Sequence, residues 1–144
     1  MATQIFVNLP VKDLKKSIEF FTRLGYSFNA QFTDDTATCM IVSEGIYVML
    51  LTHEKFKGFT PNEICDTTKS TEVLVALNCE HRQQVDEIVR QAVAAGGATY
   101  NEPLDHGFMY THGFKDPDGH IWEHFWMDPA AVNPPATAAA GARA

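Results

Sequence analysis

The chain is 144 residues long, with 45% hydrophobic and 20% charged residues; this is one domain of ordinary globular composition, which excludes general disorder, collagen-like repeats and a disulfide framework. Eleven Lys and Arg against 18 Asp and Glu give a net charge of -7, and with no basic run nucleic acid is not an expected partner. The longest apolar stretch, residues 46–51, is far below the ~20 residues that cross a bilayer; no membrane partner is expected, and the N-terminus lacks the pattern of a signal peptide, so a cytoplasmic location is expected.

Residues 5–11 form a short β-like run, after which Asp13 offers a helix N-cap. Leu14, Ile18, Phe21 and Leu24 then recur at helical spacing until Gly25. Extended segments are predicted over 26–32, 37–42 and 46–51, the last two joined by the turn signal Ser43-Glu44-Gly45. The order is βαβββ. Residues 58–70 have the Gly, Pro, Asn, Asp, Thr and Ser content of a connection.

The same order then restarts. Residues 72–77 alternate as a strand, and Val85, Ile88, Val89, Ala92 and Ala95 mark one helical face that ends at Gly96-Gly97. Strands are predicted over 98–100, 108–114 and 120–126, the last two joined by Asp116-Pro117-Asp118-Gly119, the signature of a type I turn. Gly25 and Gly45 are 20 positions apart, and Gly97 and Gly119 are 22 apart, which supports two repeats. The expected fold is α+β: a first βαβββ module over 1–57, a connecting loop over 58–70 and a second module over 71–128. The modules pair into a curved mixed sheet around a cup, helices outside. Residues 129–144 read as an Ala/Pro-rich tail, either a loose terminus or a strap over a neighbouring subunit.

Few side chains in this layout point to chemistry. Cys39, Cys65 and Cys79 are scattered without a C-x-x-C pair and read as reduced and structural. His120 and His124 are four residues apart on a predicted strand, about 13 Å, too far to share an ion. Alternation puts His120, Trp122, His124 and Trp126 on one face and Ile121, Glu123 and Phe125 on the other. Glu123 is therefore a carboxylate between two apolar residues, either held by a local hydrogen bond or lining the cup as an acid or base. Glu72, at a strand start, reads equally as a second catalytic carboxylate or a solvated one. Asn8 shares its strand face with Phe6 and is a candidate to face the cup or to cap local backbone. His106, Tyr110 and His112 lie in and beyond the loop after Pro103, near the expected rim, and are candidate ligand contacts or edge residues, with Phe108 as a further candidate contact. His53 and His81 carry no assigned role, and Phe20 and Phe21 read as core.

The opening Leu9-Pro10-Val11-Lys12-Asp13-Leu14-Lys15-Lys16-Ser17, the closing Asp116-Pro117-Asp118-Gly119-His120-Ile121-Trp122-Glu123 and the paired modules resemble the vicinal oxygen chelate superfamily. That group includes glyoxalase I, extradiol dioxygenases, fosfomycin-resistance thiol transferases and bleomycin-resistance proteins. Gly107-Phe108-Met109-Tyr110 and the stretch from Trp122 to Pro129 look like a bacterial glyoxalase-like branch whose substrates are generally unassigned. The resemblance implies metal ligands on the first and last strands of each module, which fall here on Phe6, on Met49 or Leu50, on Glu72 and on Glu123. Two carboxylates and two apolar positions make half a site, so no cofactor is expected beyond a weakly held divalent ion. The two-His, one-carboxylate set of the dioxygenases is missing. The expected function is the binding of a small organic molecule in an apolar cup, with Phe6, Asn8, Leu50, Phe108, Tyr110 and His112 as contacts. The alternative is a metal-assisted glyoxalase-type lyase or isomerase with Glu123 or Glu72 as general base. The resemblance also implies a homodimer.

Overall fold

Alternation along the first strand, β1 (Ile5–Val11), decides which side of the molecule becomes core: Leu9 and Val11 are buried, while Phe6 and Asn8 are exposed. In the computed structural model, described here for residues 2–132, β1 leads into helix α1 (Leu14–Arg23), whose first turn is capped by the Asp13 carboxylate accepting from the Lys16 N–H at 3.2 Å. The helix stops at Gly25, which adopts a φ of +99°, a conformation that costs glycine no Cβ clash. Strands β2 (Ser27–Asn29), β3 (Ala37–Ser43) and β4 (Ile46–Thr52) complete a four-stranded mixed sheet of order β1-β4-β3-β2, with β1 parallel to β4.

A short helix, α2 (His53–Lys57), starts the connection. The second sheet repeats the first in order: β5 (Leu74–Asn78), α3 (Arg82–Ala94), β6 (Leu104–Asp105), β7 (Met109–Lys115) and β8 (Ile121–Met127) are arranged β5-β8-β7-β6, with β5 parallel to β8. A four-residue helix, α4 (Pro129–Val132), follows. The architecture is thus α+β, with two four-stranded mixed sheets and few helices.

Several boundaries differ from the sequence expectation for local reasons. The stretch over 26–32 splits into β2 and a 3-10 turn (Ala30–Phe32), because the Asn29 side chain accepts from the Gln31 N–H and bends the chain. Residues 98–100 contribute one isolated bridge, Ala98 to Lys115; the edge strand forms later, at Leu104–Asp105. Helix α2 was not expected; the Thr52 hydroxyl accepts from the Lys55 N–H at 3.3 Å and caps it. Glu72 lies two residues before β5 begins. Beyond α4, the tail lies outside the described residues.

The helix-facing sides of both sheets share one core. Leu9, Met40, Val48 and Leu50 of the first sheet join Phe114 and Trp122 of the second, with Phe20 and Phe21 of α1 between them. Phe21 meets Trp122 at a ring-centroid distance of 4.9 Å, and Phe20 meets Phe114 at 5.9 Å. Aromatic contacts of this kind add to the burial energy, so α1 ties the modules together as well as covering its own sheet.

A second tie is polar. The Asp116-Pro117-Asp118-Gly119 turn closes with the Gly119 N–H donating to the Asp116 carbonyl at 2.9 Å. The buried Asp116 carboxylate accepts from the backbone N–H groups of Asp118 and His120 and from the Trp122 indole N–H at 3.0 Å. Asp118 reaches the other module: its carboxylate accepts from the Lys12 N–H at 2.7 Å and the Ser17 hydroxyl at 3.3 Å. The Thr67 hydroxyl donates to the Asp118 carbonyl, and the His120 Nε2 donates to the Pro10 carbonyl at 2.6 Å. A carbonyl only accepts, so the His120 proton sits on Nε2. One turn therefore fixes the end of β1, the start of α1 and the connection together.

Candidate functional site

The side of each sheet away from the core is set by register. In the first sheet Phe6, Asn8 and Pro10 pair with Tyr47, Met49 and Leu51. In the second, Leu74, Ala76 and Asn78 pair with Ile121, Glu123 and Phe125, and Glu123 lies opposite Gly113 of β7. These are the open faces, and the sequence-predicted residues divide between them, the core and the rim.

Phe6 is 48% exposed and stacks on Tyr47, ring centroids 4.8 Å apart. Asn8 is next on the same face; its amide N–H donates to the Phe6 carbonyl at 3.2 Å, leaving its side-chain oxygen as an acceptor. Asn8 and Glu72 line one cavity of about 360 Å3, bounded by Val7, Leu9, Pro10 and β1 on one side and by Phe56, Thr60 and Val73 on the other. Glu63, Cys65 and His120 complete its polar wall. The two modules are thus brought to one place by the start of β1 and the lead-in to β5.

Glu123 is half-buried on the open face of the second sheet. A Cβ built on Gly113 would stand 2.5 Å from the Tyr100 hydroxyl oxygen, so that hydroxyl occupies the space over Gly113, across from Glu123. Burial, with the Glu123 charge adding to it, pushes the Tyr100 phenol up from its ordinary value and keeps it protonated as a donor. Sequence reading missed Tyr100; the signal that finds it is the absence of a side chain at Gly113. Glu72 lies in the bend that leads into β5, four residues before Ala76, the partner of Glu123.

Three expected ligand contacts are placed otherwise. Leu50 has no exposed surface and belongs to the core; in the unbroken apolar run of β4 it is Met49 that pairs with Asn8 on the open face. Tyr110 and His112 lie on the helix side of the second sheet, because Gly113 and Thr111 take the open side. The Tyr110 hydroxyl donates to Asp86 of α3 at 2.6 Å under the Arg82 guanidinium, and this bond, with burial, raises its pKa to about 12. The His112 Nε2 bonds the Asn101 carbonyl at 2.9 Å. Phe108 is exposed at the rim, where its carbonyl accepts from the Asp128 N–H at 2.8 Å.

The resemblance would put a divalent ion at Phe6, at Met49 or Leu50, and at Glu72 and Glu123, and of the β4 pair it is Met49 that takes the open face. A phenyl ring offers no donor, and a thioether is a soft ligand mismatched to two hard carboxylates. Among the described residues no group of three or more His, Cys, Asp or Glu converges to hold an ion. The donor set does not fit the metal of the resembled group. Burial pushes the Cys39 and Cys79 thiols up, away from the thiolate, and the Cys65 sulfur shares a hydrogen bond with the Ser70 hydroxyl at 3.2 Å.

Comparison with known proteins places this geometry. No curated protein sequence matches significantly. Among solved structures, a hypothetical protein from S. aureus is 29% identical over 88% of this chain and 95% of its own, with a TM-score of 0.74. A glyoxalase-related enzyme from Fulvimarina pelagi is 19% identical, covering 93% of this chain and 92% of its own with a TM-score of 0.74. The fosfomycin resistance protein FosX from Listeria monocytogenes is 19% identical over 88% and 93%, with a TM-score of 0.62; at such identities the likeness is one of fold. A family profile matches residues 4–124, from β1 to the middle of β8, and the chain belongs to the Glyoxalase/Bleomycin resistance protein/Dioxygenase superfamily.

Proposed function

We propose that this chain binds a small neutral or cationic organic molecule in the cavity between β1 and the connecting segment, with Asn8 and Glu72 as polar contacts. The observation that carries this reading is the meeting of those two residues, one from each module, in a cavity of about 360 Å3 walled by Val7, Leu9, Pro10, Phe56 and Val73. Apolar walls with a few convergent polar groups are the usual anatomy of a ligand pocket. Glu63 and Glu72 make no ion pair among the described residues, where the ion pairs are Arg23 with Glu19 and Arg82 with Asp105. With the net charge of -7, that favours a cation or neutral molecule over an anion.

The functional unit in this reading is a homodimer of chains each organised as 1–57, 58–70 and 71–128. Phe6 and Leu74, about half exposed on the open faces, are the apolar surface a second copy would cover. Light scattering should then return twice the mass of the chain; the mass of a single chain would remove the dimer.

The binding reading is tested by a thermal-shift panel of neutral amides and ketones, quaternary amines such as choline, and dicarboxylates. The expected outcome is a rise in Tm with a neutral or cationic member, diminished for a cation by Glu72→Gln. No rise with either class would contradict it.

Tyr100 favours a second reading, in which Glu123 abstracts a proton beside a carbonyl whose oxygen accepts from the protonated Tyr100 hydroxyl, a glyoxalase-type isomerisation. Turnover of the hemithioacetal of methylglyoxal and glutathione, lost in Glu123→Gln and reduced in Tyr100→Phe, would support this reading. Turnover undiminished by Glu123→Gln would end it.

A further inference from the structure

A second cavity, of about 530 Å3, adjoins the first at the junction of the modules. It shares Pro10, Glu63, Cys65, Thr67 and His120 with its neighbour, and adds Lys12, His53, Lys57, Asp66 and Asp118. Its charges are sorted by origin. The cationic groups come from the first module: Lys12 just beyond the end of β1 and Lys57 from α2, with the His53 imidazole four residues before Lys57 on the same helix face. The carboxylates come from the connection, as Glu63 and Asp66, and from the second module's turn, as Asp118.

None of these charged groups is in an ion pair among the described residues, where the ion pairs are Arg23 with Glu19 and Arg82 with Asp105, so both signs remain open to a guest. Two of the carboxylates are held by neutral donors instead. Asp66 accepts from the Thr68 hydroxyl at 2.6 Å and N–H at 3.0 Å, which together hold it below the usual carboxylate range. Asp118 is fixed by the Lys12 N–H and the Ser17 hydroxyl. The Lys12 backbone is thereby anchored while its ammonium remains available. A purely anionic guest would meet three carboxylates here, and a purely cationic one would meet two ammonium groups. A molecule carrying both charges matches each set.

We propose that this cavity is a binding site for a zwitterionic small molecule of the free α-amino acid kind, its carboxylate taken by Lys12 and Lys57 and its ammonium by Glu63 and the neighbouring aspartates. Charge-assisted hydrogen bonds at both ends give such a guest an advantage that neither half alone has. The site overlaps the Asn8–Glu72 cavity at Glu63 but differs from it in Lys12, His53 and Lys57, which do not line that cavity, so Lys57→Ala tests this proposal without touching the first reading.

The test is titration of the full-length 15N-labelled chain, followed by NMR, with L-alanine, L-glutamine, L-methionine, acetate and methylammonium. At least one amino acid should shift the amides of Thr67, Thr68 and Lys57, with acetate and methylammonium each about tenfold or more weaker, as expected when one of two charge contacts is removed. Lys57→Ala should weaken the amino acid and acetate but not methylammonium; Glu63→Gln should weaken the amino acid and methylammonium but not acetate. Lys12→Ala, which keeps the backbone bond to Asp118, repeats the first result on a second side chain. The proposal is overturned if no amino acid binds, if acetate binds as tightly as the amino acid, or if amino-acid affinity survives both Lys57→Ala and Glu63→Gln.

Discussion

β4 and β8 hold the same place in their sheets, each parallel to the first strand of its module and antiparallel to the third, yet they bury different chemistry. β4 turns Val48 and Leu50 into the core, while β8 turns in Trp122 and His124. On the open side the contrast repeats, with Tyr47 and Met49 on β4 and Glu123 on β8. The first module is an apolar scaffold whose stability rests on packing. The second carries the polar load: the Asp116 hub, a buried imidazole and the carboxylate with its tyrosine. One topology therefore serves as structure in one half and as a carrier of titratable groups in the other.

The sharpest way to break this contrast is at Asp116. Asp116→Ala leaves the Trp122 indole N–H and two backbone N–H groups without their acceptor, and should cost about 4 kcal/mol in urea unfolding, since each buried unsatisfied donor costs about 1–3 kcal/mol. Leu50→Ala probes the other half by a packing loss alone, about 3 kcal/mol for a fully buried leucine. An equal and small effect of the two would remove the distinction drawn between the modules.

His124 sharpens the comparison through pH. It is 2% exposed and stacked on Phe114 at 5.6 Å, neither ring nitrogen has a hydrogen-bond partner among the described residues, and burial pulls its pKa down to about 4 from 6.5. The unfolded chain takes up a proton at 6.5 that the folded chain refuses until about 4. Stability is therefore undiminished above pH 6.5 and falls as pH drops from there toward 4, by up to about 1.4 kcal/mol per unit. His124→Phe should flatten that slope and raise Tm at pH 5; an unchanged slope would place the acid sensitivity elsewhere.

Gly113→Ala is a smaller perturbation. The added methyl would stand 2.8 Å from the Trp122 carbonyl oxygen and displace Tyr100, for a loss of about 1–3 kcal/mol from overpacking. Smallest is Glu123→Gln, which should change stability by less than about 0.5 kcal/mol because the carboxylate is only half-buried and the substitution keeps its shape. Any effect of that substitution on ligand or substrate then reports on function rather than folding.

Much of the fold was legible in the sequence because its signals are local. Asp13 caps α1 and Gly25 ends it as the pattern predicts, and alternation in β8 assigns Trp122 and His124 to one face and Glu123 to the other. The failures have equally physical causes. β4 is apolar on both sides, so nothing local distinguishes Met49 from Leu50; only pairing with Asn8 does. Tyr110 and His112 are turned inward by a register that sets Gly113 against Glu123, a long-range fact absent from their own segment. The cavities were illegible for a related reason: much of their wall comes from the connection over 58–70, which has no periodicity to read.

The claim on which the rest turns is that Asn8 and Glu72 face one ligand across the modules. An NMR titration of the labelled chain with the neutral or cationic compound that most raises Tm tests it directly. The account predicts shifts concentrated at Asn8, Thr60, Asn62 and Val73 and lost or displaced in Glu72→Gln. Shifts confined to the outer surface of α3, or a titration unaltered by Glu72→Gln and Asn8→Ala, would contradict it.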